Sequence, residues 1–142
     1  MTGALPPALF FYGVLRPDLA SGRMAELVAL LGPGVAASVA GNLYAVADPG
    51  GHYPVMVAGP GRVHGTLLSL GPAFGPADLA EFDRFEGADY QREAVRACTG
   101  NSGEHPANAY LWNRPLMPGL VPIPHGDFAR YLAETGAPPL TG

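Results

Sequence analysis

Arg62-Val63-His64-Gly65-Thr66-Leu67-Leu68-Ser69-Leu70 is the stretch on which the reading of this chain turns. Val63, Gly65, Leu67 and Ser69 alternate with His64, Thr66, Leu68 and Leu70, and a period of two is that of a β-strand. Just before it, Gly59-Pro60-Gly61 has turn chemistry and closes a short strand over Tyr53–Val57. Further back, Asp48-Pro49-Gly50-Gly51 is a stronger turn. It follows a β-like run, Val35–Ala47, in which Gly41 is placed for a bulge. Three strand-like segments therefore succeed one another without an intervening helix.

The flanks extend the pattern. Leu9-Phe10-Phe11-Tyr12 is short, aromatic and bounded by Pro7 and Gly13, as a buried strand should be. A loop over Gly13–Asp18 leads to Ser21, a candidate N-cap. The helix after it presents Met24, Leu27, Val28 and Leu31 on one face and stops at Gly32-Pro33-Gly34. Beyond Leu70 come a helix ending at Gly87 and strands over Gln91–Ala97 and Ala107–Trp112, joined by the polar loop Gly100–Pro106. A Pro-rich irregular segment, Arg114–Pro124, precedes a last short helix capped by Asp127, with Phe128, Tyr131 and Leu132 inward. The tail beyond Gly136 is expected to fray. Five to six strands with two to three interspersed helices make an α+β protein. Full helices separate the strands too seldom for a doubly wound parallel sheet. A small, mostly antiparallel β-barrel fits better, because closure removes sheet edges. The chain reads as a single domain, 1–142, with an ordered core over about 8–135.

Composition narrows the function. Hydrophobic residues make up 48% of the 142 and charged residues 14%, enough apolar material for a core. All eight basic residues are arginine, so no side chain can form a Schiff base and no P-loop lysine exists. A net charge of -4 without a basic run argues against a nucleic-acid partner. No apolar run reaches the ~20 residues of a membrane span, and the first residues lack the pattern of a signal peptide. The single Cys98 suits a reducing compartment, so the expected location is cytoplasmic. The four histidines show no metal-ligand spacing, so no metal site is expected.

Three places could carry chemistry. In Pro76-Ala77-Asp78-Leu79-Ala80-Glu81-Phe82-Asp83-Arg84-Phe85-Glu86-Gly87, Leu79 and Phe82 set an inward face. Glu86 lies seven residues after Leu79 and four after Phe82, on that same face, whereas Glu81 and Arg84 point away. Burial and the helix C-terminus both disfavour a negative charge there, which raises the carboxyl pKa toward a value useful in proton transfer. The pattern is equally met by a helix that ends one turn earlier and leaves Glu86 solvated. Asp83, one turn before, sits at the edge of the face. Second, Tyr12-Gly13-Val14-Leu15-Arg16 follows a buried strand. A glycine there allows a sharp turn whose N–H groups can converge on a carboxylate or an oxyanion, although glycine also ends strands with no ligand involved. Third, Tyr90 and Arg92 follow Glu86. Tyr90 can donate a hydrogen bond to that acid or to a ligand, while Arg92 can hold a carboxylate or merely pair at the surface.

The order of these pieces resembles the γ-glutamylcyclotransferase-like family, which includes the γ-glutamylamine cyclotransferases and AIG2-like proteins. The matching segments are Phe10–Arg16, Gly41–Tyr44, Tyr53-Pro54, Val63–Leu67, Phe82–Gly87 with Tyr90 and Arg92, and Ala109–Trp112. The resemblance implies a compact barrel that closes a γ-glutamyl amide or amine on itself to give 5-oxoproline and free amine, with no cofactor. It makes Glu86 the general acid/base and Tyr12, Gly13, Val14, Leu15 and Arg16 the binding loop, with Tyr90 and Tyr110 lining the pocket. The implied partner is a small γ-glutamyl substrate; the expected assembly is a monomer or weak homodimer. Val14 departs from the family's usual Ser or Thr. A barrel that binds a small ligand without turnover is the alternative.

Overall fold

The computed structural model describes residues 5–100 and 103–140. Its elements run β1 (Ala8–Phe11), α1 (Gly22–Val28), β2 (Gly34–Asp48), β3 (Gly51–Ser69), α2 (Pro76–Glu86), β4 (Tyr90–Thr99), β5 (Gly103–Trp112), β6 (Val121–Pro122) and α3 (Phe128–Thr135). Strands pair in the order β3-β1-β5-β4-β2, and β2 pairs again with β3, so five strands close into a barrel. The short β6 adds to β2 through Tyr44↔Pro122 and Ala45↔Val121. Every pairing is antiparallel except β1 with β5, which meet in parallel at Leu9↔Asn108. This is the expected α+β barrel with its flanking helices.

β1 explains why its sequence is apolar throughout. Ala8 and Phe10 face the barrel interior with Val39, Met56, Val63 and Phe128. Leu9 and Phe11 face the other way, into a layer formed with Leu27 of α1 and with Leu79 and Phe82 of α2. A strand buried on both faces has no polar register to keep. Phe10, Phe82 and Phe128 are fully buried, and truncating any of them to alanine costs about 3–5 kcal/mol.

Two stretches depart from the sequence reading. Gly59-Pro60-Gly61 does not separate two strands; β3 runs through it. The register slips between Ala40↔Arg62 and Asn42↔Val57, setting Gly41 against residues 58–61. The glycines serve a bulge rather than a turn. A Cβ on Gly59 would come within 2.4 Å of the Asn42 side chain, and Gly61 N–H donates to Asn42 Oδ1 at 3.1 Å. The bulge at Gly41 is as expected, but its partner strand was read as broken. Likewise Gly100–Pro106 is mostly strand. The β4–β5 ladder runs to Thr99↔Gly103, and Pro106 stands opposite Arg96; residues 101–102 lie outside the described residues. Pro106 is tolerated because β5 needs few donors on its other side, where it meets β1 at Leu9↔Asn108 alone.

α2 starts at Pro76, where Gly75 N–H donates to Asp78 Oδ2 at 2.8 Å, and stops at Gly87, whose φ of 81° suits glycine. Leu79 and Phe82 are buried, Phe82 against Phe11 and Phe74 at ring distances of 5.3 and 5.8 Å. On its other side, Glu81 accepts from Arg23 of α1 at 2.7 and 2.9 Å. Asp127 caps α3 by accepting from Arg130 N–H at 3.1 Å, and Phe128, Tyr131 and Leu132 enter the barrel core. Beyond Gly136, residues 138–140 are tied down where a fraying tail was expected, and residues 141–142 lie outside the described residues. His52 N–H donates to Pro138 O and Leu140 N–H donates to His52 O, both at 2.8 Å, so residues 138–140 lie along the start of β3. Among the described residues, no helix is long and apolar enough to cross a membrane.

Candidate active site

The end of β1, the last turn of α2, the β2–β3 turn and the mouths of β4 and β5 enclose a cavity of about 350 Å³. Its floor is apolar, with Phe10, Phe11 and Leu15. Glu86, the last residue of α2, is set into its wall. The helix does not end early, so the inward reading of Glu86 holds. The side chain keeps partial access to solvent through the cavity. Enough protein surrounds it that burial, and then the nearby charge of Asp83, pushes its carboxyl up to about 8. No ion pair among the described residues includes Glu86.

Three tyrosines surround this acid, and each hydroxyl is committed as a donor. Tyr12 OH donates to the Tyr110 carbonyl. Tyr90 OH donates to the Pro54 carbonyl at 2.7 Å, not to Glu86. Tyr110 OH donates to Asp83 Oδ1 at 2.6 Å. Burial raises all three phenols well above their ordinary value, with Glu86 adding to the effect in each. They stay protonated and act as a fixed polar frame. Arg92 does not enter the cavity; it forms a part-exposed pair, as the surface reading expects, and its partner is Asp83. It donates to Asp83 at 3.0 and 3.3 Å and to Asn108 Oδ1 at 2.6 Å, holding the outer side of α2 to β4 and β5.

The segment after β1 makes a tight turn, with Arg16 N–H donating to Gly13 O at 2.9 Å. Tyr12, Gly13, Val14 and Leu15 all line the cavity. The N–H groups of Val14 and Leu15 donate to no backbone acceptor outside the regular elements among the described residues. The Gly13–Arg16 bond closes a β-turn, whose two central N–H groups, those of Val14 and Leu15, are not part of the turn's own hydrogen bond. Gly13 is required by contact rather than by φ: a Cβ there would lie 2.4 Å from Pro54 Cγ. Arg16 is the exception in the segment. Its side chain leaves the cavity to pair with Asp18 at 3.0 Å and Asp127 at 3.1 Å.

The sequence reading named the inner wall and missed the outer one. Asp48, Tyr53, Asp89, Trp112 and Leu140 also line the cavity. Asp48 and Leu140 sat in segments read as a plain turn and a loose tail, and alternation gives no signal in either. Among the described residues, no group of three or more His, Cys, Asp or Glu side chains is placed to hold a metal ion. What remains is a carboxyl able to gain or lose a proton near neutrality, facing a turn with N–H groups to spare.

The family model described as γ-glutamyl cyclotransferase, AIG2-like, matches residues 9–130. No curated protein matches the chain. Among solved structures, YkqA from Bacillus subtilis superposes with a TM-score of 0.69 at 20% identity, over 93% of this chain and 43% of YkqA. This chain therefore spans less than half of that protein. A γ-glutamyl cyclotransferase superposes with a TM-score of 0.63 at 16% identity, over 95% of this chain and 89% of the other. An AIG2-like protein of Mus musculus gives 0.60 at 15% identity, over 79% and 81%. At these identities the structural likenesses establish the shared fold.

Proposed function

This chain belongs to the γ-glutamyl cyclotransferase, AIG2-like family, and on that premise we propose that it converts a small γ-glutamyl amide or γ-glutamyl amine to 5-oxoproline and free amine. One observation carries the reading. The Glu86 carboxyl, pushed up to about 8, shares a cavity with the Tyr12–Leu15 turn.

A carboxyl raised to about 8 lies nearer the range of an ammonium group than an ordinary carboxyl does, so taking the proton of the α-ammonium costs Glu86 less free energy. Ionised Glu86 takes a proton from the substrate α-ammonium. The freed amine attacks the γ-carbonyl carbon, and the carbonyl electron pair moves to oxygen. Glu86 then gives the proton to the leaving nitrogen. The oxyanion collapses, the old C–N bond breaks and the amine departs. The attacking nitrogen sheds its second proton, and the ring product is 5-oxoproline. Nucleophile and electrophile belong to one molecule, so the protein's task is to fold the glutamyl chain into a five-membered approach. The Val14 and Leu15 N–H groups grip the α-carboxylate or the oxyanion. Val14 brings no hydroxyl, so this position contributes through its backbone. A reducing cytoplasm suits the lone Cys98.

Incubation with a panel of γ-glutamyl amines, amides and peptides tests the reading, with 5-oxoproline as the readout. Release from at least one class is expected. Compounds that bind without release from any would make the barrel a binding module instead.

A further inference from the structure

The segment after α3 reaches the cavity. Its path is fixed by the two backbone hydrogen bonds that His52 exchanges with Pro138 and Leu140. His52 is itself held, its Nδ1 lying 2.9 Å from Tyr131 OH and its ring 5.8 Å from the Tyr131 ring. Gly51 makes the seating possible. It has φ 132°, and a Cβ there would come within 2.6 Å of Leu140 Cα and 2.7 Å of Leu140 N. Leu140 thus arrives at the cavity wall through built contacts rather than by a loose end folding over it.

The cavity has two ends with different chemistry. Tyr12 and Tyr110 feel the charge of Glu86, Tyr53 feels Asp48 and Asp89, and Tyr90 feels both Glu86 and Asp89. The glutamyl head must lie at the Glu86 end, because its α-ammonium exchanges a proton there. The substituent on the departing nitrogen then extends toward the end lined by Tyr53, Trp112 and Leu140. Tyr90 joins the two ends, its ring edge-on to Trp112 at 5.2 Å.

We propose that Leu140, held in place by the docking of residues 138–140 on His52, forms the outer wall of the leaving-amine subsite and is a specificity-determining residue, favouring amines with an apolar substituent. This rests on the cyclotransferase reading for the direction in which the substrate lies. Trp112 is the only tryptophan of the chain and lines the cavity, so its fluorescence reports binding directly.

The experiment titrates the full chain and its Leu140→Ala variant with γ-glutamyl methylamide and γ-glutamyl n-butylamide, recording Trp112 fluorescence and 5-oxoproline release in parallel. The wild type should prefer the butylamide, and Leu140→Ala should reduce that preference about tenfold, the scale of lost apolar contact in a pocket. Gly51→Ala, which displaces the segment without altering a lining side chain, should reduce it similarly; if that variant fails to fold, Leu140→Ala still decides. An unchanged preference in Leu140→Ala, with 5-oxoproline still released, overturns the subsite and leaves the reaction standing. A shifted binding preference without 5-oxoproline places Leu140 beside the amine substituent as a binding contact and overturns both the reaction and the leaving-amine role. Absence of both binding and release overturns both.

Discussion

The last turn of α2 carries two acids on neighbouring faces, and their surroundings differ completely. Asp83 faces outward and is fully engaged: Arg92 reaches both of its oxygens and Tyr110 OH donates to one of them. Glu86, three residues on, faces the cavity, and no cation among the described residues pairs with it. The partnered acid ties α2 to the β4–β5 edge of the barrel. The unpartnered one stores a cost that the fold pays elsewhere, and that cost makes it useful for proton transfer. The two also interact, since the charge of Asp83 is the second cause of the raised Glu86 carboxyl.

Exchanging the acids one at a time tests this contrast. Glu86→Gln keeps the shape of the side chain and removes its proton chemistry; turnover should fall about 10³-fold, the usual weight of a general acid/base. Steady-state release of 5-oxoproline measures this, and a variant with wild-type turnover would take Glu86 out of the mechanism.

Stability should move in the opposite direction. The folded-state carboxyl of Glu86 is raised from 4.5 to about 8. Its favourable contribution is therefore complete below about pH 4.5 and is lost as pH climbs through about 8, because the unfolded chain ionises first. Glu86→Gln should match the wild type at low pH and exceed it by a few kcal/mol above pH 8. Denaturant midpoints at pH 4 and pH 9 check this, and an equal gap at both values would show that burial of charge is not the cause.

The outward face predicts a smaller loss. Asp83→Asn keeps an acceptor for Tyr110 but weakens the pairing with Arg92. The pair is part-exposed, with side chains 28% and 41% accessible, so the cost should be about 1 kcal/mol by thermal unfolding. The same variant removes a like charge near Glu86. The low-pH limb of kcat/KM, which in the wild type should rise through about 8, should then shift to lower pH. A limb that stays in place would mean the two faces do not communicate.

Periodicity could reveal the inward acid because Leu79, Phe82 and Glu86 obey the spacing of one helix, and no distant contact is needed to see it. Asp127 as a cap and Gly41 as a bulge were legible for the same local reason. Gly59-Pro60-Gly61 misled because residues that permit a turn also permit a bulge, and only the partner strand distinguishes the two. Pro106 misled in the same way, since its tolerance depends on how little β1 asks of β5. The role of Arg16 lay only partly within local reading: Asp18 is two residues on, but its other partner, Asp127, is 111 residues away. Leu140 was hidden because its placement depends on His52 and on a glycine at 51, neither of which marks the tail as structured.

β1 leaves the ribosome before either of its partner strands and then has to wait. β1 finds one neighbour in the far half of β3 and the other in β5, and that second join is parallel, through Leu9↔Asn108. Synthesis must pass β5 before the ring can shut. Until then Ala8–Phe11, apolar on both sides, stays unshielded in the nascent chain. Such long-range closure makes for slow folding and a period of vulnerability to self-association, so yield in a cell should depend on chaperone supply more than the mature barrel's stability would indicate.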